Sequence, residues 1–336
     1  MHLPSLRERQ RVVSILTVLV ALACVSILFA CGVGSVSLSA AELFVALGEI
    51  VRGEPSTLAA TLLELRLGRA LSAFVTGATL ALAGVMMQAL LRNPLADPYV
   101  LGVSGGASVG ALTAILFVST AWVIDAAAFA GAITVAFLLF FLAYRDLRGG
   151  GTEGNAPMLL LTGVIVASGC YALVTLMLSI APDNRLRGMV FWLIGDLSAT
   201  QVRWLPWMIW LLALAYAMRV ARAVNVVALH ADAAATLGVR VGRLRQGLFL
   251  CAALLTASAV SSAGSIGFVG LIVPHACRFA WGPDHRLLLP AATLAGGSFL
   301  VLADTLARSV IAPQQLPVGV ITALIGVPVF LLQLHH

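Results

Sequence analysis

Residues 66–98 read RLGRALSAFVTGATLALAGVMMQALLRNPLADP, and the pattern in this stretch recurs along most of the chain. No side chain from residue 70 to residue 91 carries a formal charge; arginines precede the run and a proline-containing turn follows it. An α-helix rises 1.5 Å per residue, so about 20 apolar residues cross the hydrocarbon core of a bilayer. The stretch therefore predicts a transmembrane helix, which we place at 69–91.

The composition extends this prediction to the whole chain. Of its 336 residues 61% are hydrophobic and only 10% are charged, and the mean hydropathy is +1.04. A soluble protein would have too little polar surface to cover such a core. We therefore predict an all-α integral membrane protein with one transmembrane domain, 1–336, and about ten spans. The predicted spans are 12–34, 69–91, 99–119, 121–144, 157–181, 202–222, 246–264, 266–281, 287–303 and 316–334.

The arginines predict the orientation of these spans. Three of them precede the first apolar run, which is longer than the core of a signal peptide, so we interpret it as a retained span. In the ten-span topology 13 arginines fall at inner ends and loops and 7 at outer positions. Cytoplasmic loops carry the excess of basic residues, so both termini are predicted to be cytoplasmic.

Several functional classes are disfavoured by what the sequence lacks. All 20 basic residues other than histidine are arginines, whereas a nucleotide-binding G-x-x-x-x-G-K-[ST] loop requires lysine. The five cysteines show no C-x-x-C spacing, and no H-E-x-x-H pair is present, so we predict no metal site, no catalytic residues and no cofactor bound by this chain. The net charge of +6 is attributed to membrane topology, and no nucleic-acid partner is expected.

Gly102, Gly106 and Gly110 recur every four residues at the start of the third span. Small residues at this spacing allow two helices to approach closely in lipid, so the stripe predicts a tight interface or a pathway wall. The same stretch contains G-x-S-x-G, but a hydrolase nucleophile requires a strand–turn–helix setting that a transmembrane helix does not provide.

Three arginines are predicted to lie on the outer side, although basic residues are in excess on the cytoplasmic side. Arg66 and Arg69 lie one helical turn apart, and Arg308 ends the stretch 303–308. One interpretation is that their side chains reach to the membrane interface. The other is a docking site for carboxylates of an extracytoplasmic partner, because guanidinium pairs carboxylate bidentately.

The largest inner loop, predicted at 223–245, contains an alanine- and leucine-rich segment flanked by five arginines. The segment predicts a short helix that ends at Gly238. A short helix on the cytoplasmic face could be a docking surface for another protein, or it could be a connector.

The chain resembles the FecCD-type permeases, the BtuC-like membrane subunits of bacterial ABC importers for ferric siderophores, haem and cobalamin. The resemblance covers roughly residues 60–335. It rests on Leu65–Arg69, Arg92–Pro98, Gly267–His275, Gly282–Arg286, Asp304–Arg308 and Leu316–Gly319.

The resemblance implies a ten-helix subunit that works as a homodimer with two ATP-binding cassette subunits inside and a periplasmic substrate-binding protein outside. ATP and Mg would be used by the partner ATPase. It assigns binding-protein docking to Arg66, Arg69 and Arg308 and a cytoplasmic gate to Asn93 and Leu95. The ATPase-coupling positions it implies are Leu229, His230, Asp232, Ala234, Leu237 and Gly238. The family's Leu-Gly-Glu opening is Leu229-His230-Ala231 here, with the acid displaced to Asp232.

The expected function is therefore that of a permease in the bacterial inner membrane that imports a metal chelate or cobalamin. The sequence does not choose among the three substrate classes. The alternative is a secondary transporter driven by an ion gradient, which would be expected to hold carboxylates or broken helices in mid-membrane.

Overall fold

A computed structural model describes residues 6–34, 36, 38–53, 56–118, 120–144, 147, 155–198, 203–229, 234, 236–311 and 314–334. Within these residues the regular structure is entirely helical. The α-helices are α1 (Leu6–Gly32), α2 (Ala40–Arg52), α3 (Leu58–Leu91), α4 (Val103–Phe117), α5 (Ala121–Leu142), α6 (Asn155–Ile180), α7 (Asp183–Ile194), α8 (Trp204–Leu229), α9 (Val241–Ala263), α10 (Val269–Trp281), α11 (His285–Ser309) and α12 (Val318–Leu334); a 3-10 helix covers Pro98–Leu101.

Each predicted span overlaps one α-helix, but two short helices were missed and several boundaries differ, most of all at the start of α3 and the end of α8. Helices α2 and α7, of 13 and 12 residues, were missed because neither is long enough to cross a bilayer. Helix α3 begins 11 residues before the predicted 69, where the Thr57 side chain accepts a hydrogen bond from the Ala60 N–H. The inner loop does not begin at 223, because α8 continues through Leu229.

Seven of the described helices are long and apolar enough to cross a membrane: α1, α3, α5, α6, α8, α9 and α11. Helices α4 and α12 are apolar but shorter, and α10 has 13 residues. At 1.5 Å per residue α10 is about 20 Å long, less than the hydrocarbon thickness. The count of ten spans and the side of each terminus remain predictions.

Helix α3 lies at the centre of the bundle. In the most apolar 18-residue stretch of α3, 94% is buried inside the protein, whereas only 17% of the corresponding stretch of α1 is buried. Helices α1, α2, α8, α9, α10 and α11 all pack against α3. These six helices therefore surround α3, and α1 has most of its surface available to lipid.

Glycine pairs allow α3 to come this close to its neighbours. A Cβ atom on Gly84 would lie 1.9 Å from the Gly270 carbonyl oxygen of α10. On Gly77 it would lie 2.3 Å from the Gly296 carbonyl oxygen of α11. Because lipid tails are as apolar as the helix surfaces, the hydrophobic effect contributes little to helix association in a membrane. Close packing of the two backbones therefore holds α3 against α10 and α11.

The segment 264–268, between α9 and α10, is not helical. It turns at Gly264 and Phe268, which both have φ of 70°. The Tyr99 hydroxyl donates to the Ile266 carbonyl at 2.9 Å, and the Ser104 and Ser265 hydroxyls pair at 2.9 Å. Irregular backbone is tolerated in a membrane protein where other protein groups surround and satisfy it.

We expect Gly84→Ala to destabilise the protein by about 1–3 kcal/mol, because its methyl group would force α3 and α10 apart. The midpoint of thermal unfolding in detergent measures this effect. Gly169→Ala on α6 is the matched control, since no atom lies within 4 Å of its added Cβ. Equal midpoints for the two variants would contradict the close α3–α10 packing.

Candidate functional site

Arg66 of α3 binds the carboxyl-terminal end of α1. Its Nη1 donates to the carbonyl oxygens of Cys31 at 3.1 Å and Gly32 at 3.3 Å, and its Nη2 donates to the Val36 carbonyl. The residue is only 6% exposed. The last four carbonyls of a helix have no partner within it, so the Arg66 guanidinium supplies hydrogen bonds that the end of α1 lacks.

Arg308 of α11 contributes to the same helix end. Its Nη2 donates to the Ala30 carbonyl, and the residue is 7% exposed. A cation at a helix carboxyl terminus also interacts favourably with the helix dipole. Arg66 and Arg308 together therefore fix α1 to the central helices.

Arg69 of α3 forms an ion pair with Asp304 of α11. Its Nε and Nη2 donate to both carboxylate oxygens of Asp304 at 2.8–3.1 Å, and its Nη1 donates to Gln315 Oε1 at 2.8 Å. Asp304 is 2% exposed and the Arg69 side chain is 11% exposed. This bidentate contact between a guanidinium group and a carboxylate is strong and directional.

The structure brings the three predicted arginines together at the same end of α3 and α11. We call Arg66, Arg69, Arg308 and Asp304 the outer cluster; its formal charge is +2. Sequence reasoning missed Asp304 as the partner of Arg69 and the α1 end as the partner of the other two. The i, i+4 spacing of Asp304 and Arg308 favours a pair between those two residues, so no local signal pointed to Arg69, which is 235 positions from Asp304. Docking at these arginines remains a prediction.

The turn that holds the predicted gate residues follows α3 directly. Arg92 adopts a left-handed conformation with φ of 49°, and Asn93 Oδ1 accepts a hydrogen bond from the Leu95 N–H at 2.9 Å. The Asp97 carboxylate accepts the Tyr99 N–H at 2.7 Å, and burial raises the pKa of Asp97 to about 6. Leu95 is 43% exposed. The turn thus presents Leu95 on a backbone that side-chain hydrogen bonds hold in shape.

The predicted coupling segment is described in part. His230 and Asp232 lie outside the described residues, as does the side chain of Leu229. Gly238 has φ of 80°, and the Val239 N–H donates to the Ala234 carbonyl at 3.0 Å. This is the hydrogen bond that ends a helix at a left-handed glycine, at the position the sequence predicts. Leu237 beside it is 72% exposed.

The glycine stripe of α4 lies against two other helices. Added Cβ atoms on Gly106 and Gly110 would lie 2.5 Å from the Gly131 and 2.1 Å from the Ala127 carbonyl oxygens of α5. Gly102 has φ of 73° and faces Ala167 of α6. These glycines therefore lie at helix–helix contacts within the chain.

A cavity of about 290 Å³ lies between α3, α5, α7, α8 and α9. Its wall includes an ion pair between Arg203 and Asp125. Asp125 lies on α5, within the predicted span 121–144. The structure gives it a cationic partner.

The FecCD transport family model matches residues 20–336. The chain belongs to the FecCD transport family. The family supplies the membrane-spanning permease component of ABC importers, and the ATPase is a separate subunit. This FecCD permease is thus a multi-pass membrane protein, and the family resemblance drawn from the sequence is confirmed.

Curated relatives have similar sequences over most of their length. The cobalamin import system permease protein BtuC of Halobacterium salinarum is 42% identical over 288 residues, which cover 83% of this chain and 74% of the relative. An ABC transporter permease of Bacillus subtilis, YvrB, is 41% identical over 81% of this chain and 77% of its own. The hemin transport system permease protein HmuU of Yersinia pestis is 39% identical over 80% of this chain and 81% of the relative.

The fold agrees with this membership. A solved structure described as an inward-facing conformation of an ABC transporter of the metal-chelate type has a TM-score of 0.83 and 30% sequence identity, covering 96% of this chain and 99% of that one. The complex PsaBC of Streptococcus pneumoniae has a TM-score of 0.57 at 17% identity over 85% of this chain and 95% of that one, which indicates a shared fold. The predicted all-α permease fold is confirmed.

We expect Arg66→Met to loosen the end of α1, because three carbonyl oxygens lose their donor at a cost of about 1–3 kcal/mol. Hydrogen exchange followed by mass spectrometry should show amides 26–32 exchanging tenfold faster or more. Arg52→Met, at an exposed arginine of α2, serves as the control. Unchanged exchange at 26–32 would show that Arg66 does not hold the helix end.

Proposed function

We propose that this chain is the permease subunit of an ATP-driven importer that moves a metal chelate or a corrinoid from the periplasm to the cytoplasm. The observation that carries the proposal is the match to the FecCD family over residues 20–336. Its relatives include permeases named for cobalamin and for hemin. The chain would lie in a bacterial inner membrane as a homodimer, with two ATPase subunits and a periplasmic binding protein.

The outer cluster supports delivery by a binding protein. Its net positive charge complements acidic side chains, and charge complementarity both steers encounter and fixes register. Arg69 is the best placed of the three, because Arg66 and Arg308 already donate to α1. In this proposal an incoming carboxylate competes with Asp304 for the Arg69 guanidinium.

The inner features support coupling to a separate ATPase. Leu237 is exposed at the end of the segment assigned to ATPase contact, and Leu95 is exposed on the turn assigned to the gate. ATP binding would move the coupling segments, and the two subunits would then alternate access to a cavity between them. The chain itself binds no cofactor in this mechanism, because ATP and Mg act in the partner.

The secondary-transporter alternative has little support from Asp125 and Asp304, the carboxylates of the long apolar helices α5 and α11. Asp304 is paired with Arg69 and Asp125 is paired with Arg203. A carboxylate that already has an arginine partner is poorly suited to bind and release a coupling cation.

Uptake by the reconstituted complex tests the proposal. Proteoliposomes that contain the permease, its ATPase and its binding protein should accumulate one of three labelled substrates, a ferric siderophore, haemin or cobalamin, only when ATP is supplied. The purified permease alone should hydrolyse no ATP, and a hydrolysis-deficient ATPase should abolish uptake. Uptake that follows an ion gradient without ATP would contradict the importer and favour the alternative.

Docking is tested by the affinity of the binding protein for the permease in nanodiscs. We expect Arg69→Gln to weaken binding at least tenfold, about 1.4 kcal/mol, because the carboxylate acceptor is lost. Asp304→Asn removes the competing carboxylate and should leave binding equal or tighter. Arg52→Gln controls for a general loss of positive charge. Equal affinities for Arg69→Gln and the wild type would contradict docking at Arg69.

A further inference from the structure

Gln88 joins three parts of the inner end of the bundle. It lies one turn before the end of α3 and is 3% exposed. Its Oε1 accepts a hydrogen bond from Arg278 Nη2 of α10 at 2.9 Å, and its Nε2 donates to the Leu271 carbonyl at 3.3 Å. Its own carbonyl accepts the Asn93 N–H at 3.2 Å. The residue therefore connects α10 through its side chain to the gate turn through its backbone.

Asn225 makes a comparable connection on the other side. It lies on α8 one turn before Leu229, where the coupling segment begins. Its Nδ2 donates to Asp284 Oδ1 at 2.7 Å. Its Oδ1 accepts the His285 N–H at 2.9 Å and faces His285 Nδ1 at 2.7 Å. The amide thus holds α8 to the start of α11.

The two connections meet in one short piece of chain, residues 278–286, which we call the elbow. It contains the last turn of α10, the turn 282–284 and the first residues of α11. Asp284 accepts the Arg286 N–H and pairs with its guanidinium at 2.7–3.2 Å. Hydrogen bonds from Arg286 lower the pKa of Asp284 to about 2, so the carboxylate is ionised at neutral pH.

The elbow contains one position at which α10 and α11 can change their relative angle. Gly282 has φ of 95°, and no atom lies within 4 Å of where its Cβ would be. Two helices joined by three residues with a glycine in them can change their angle by rotation at that glycine. A shift of α8 would act on the elbow through Asn225, and a shift of the elbow would act on the gate turn through Arg278 and Gln88.

We propose that the elbow transmits movement of the coupling segment to the gate turn, with Asn225 and Gln88 as its two attachment points. This inference rests on the proposed function, because it takes the coupling and gate assignments from it. Asn225, Arg278 and Gln88 are positioning residues here, and none of them contacts substrate or nucleotide. Two distant sites can be coupled through packed elements that have two discrete arrangements. In this proposal α10 and α11 are those elements.

The variants Gln88→Met and Asn225→Leu test the proposal. Each keeps a side chain of similar length or volume and removes its hydrogen bonds. We expect substrate imported per ATP hydrolysed to fall tenfold or more, while the complex assembles, binds its binding protein normally and hydrolyses ATP within twofold of the wild-type rate. Gln88→Glu keeps an acceptor for Arg278 and should retain most of the coupling.

Thr293→Val is the matched control for loss of a buried hydrogen bond. Thr293 is buried on α11, and its hydroxyl bonds only to the Leu289 carbonyl of its own helix among the described contacts. This variant should import and hydrolyse as the wild type does. If Gln88→Met and Asn225→Leu lose ATPase activity and thermal stability together with uptake, the hydrogen bonds are structural and the proposal is overturned.

A second measurement needs no transported substrate. Binding of a non-hydrolysable ATP analogue to the assembled complex should change hydrogen exchange of residues 92–98 in the wild type and in Thr293→Val. The change should be absent in Gln88→Met and Asn225→Leu. An equal change in all four proteins overturns the elbow proposal. Wild-type vesicles that import none of the three substrates with ATP contradict the proposed function instead, so the two failures are distinguishable.

Discussion

Every backbone polar group inside the bilayer must find a partner within the protein, and most of this structure follows from that constraint. Hydrocarbon offers no water to bond an exposed carbonyl or amide, so the spanning segments are helices, whose bonds are internal. The same constraint applies at each helix end, where backbone groups have no partner within the helix. At the end of α1 the guanidinium groups of Arg66 and Arg308 supply the missing donors. In the segment 264–268 the hydroxyl of Tyr99 does the same.

Helix α3 has polar contacts of this kind at both of its ends. Arg66 and Gln88 are 22 residues apart on it, a distance of about 33 Å along the axis. At one end lies the outer cluster, and at the other Gln88 touches both the elbow and the gate turn. Between them, glycine contacts with α10 and α11 fix the helix in place. A central helix with polar attachments at both ends suits the proposed function, in which energy and substrate come from other chains.

Residues on the outer side serve the fold and the proposed function together. Arg69 forms an ion pair with the buried Asp304, and the proposed partner must compete with that pair, whereas Arg66 and Arg308 donate their hydrogen bonds to α1. The family resemblance assigned the same docking role to all three arginines. In the structure their contacts differ, because Arg66 and Arg308 bind α1 and Arg69 binds Asp304. The general reason is that a motif records residue types and spacing, while availability depends on what the third dimension places beside each side chain.

Composition and periodicity determined an all-helical membrane protein and the approximate place of each long helix, and the motifs that resemble the FecCD family gave the family and singled out Arg66, Arg69 and Arg308. These properties depend on hydropathy and local spacing, which a linear sequence contains. The structure alone decided that α2 and α7 exist, that α8 extends through Leu229, that Asp304 faces Arg69 and that Gln88 and Asn225 hold the two sides of the elbow. Those contacts join residues up to 235 positions apart, and a contact of that kind is fixed by how helices pack, which no local pattern encodes.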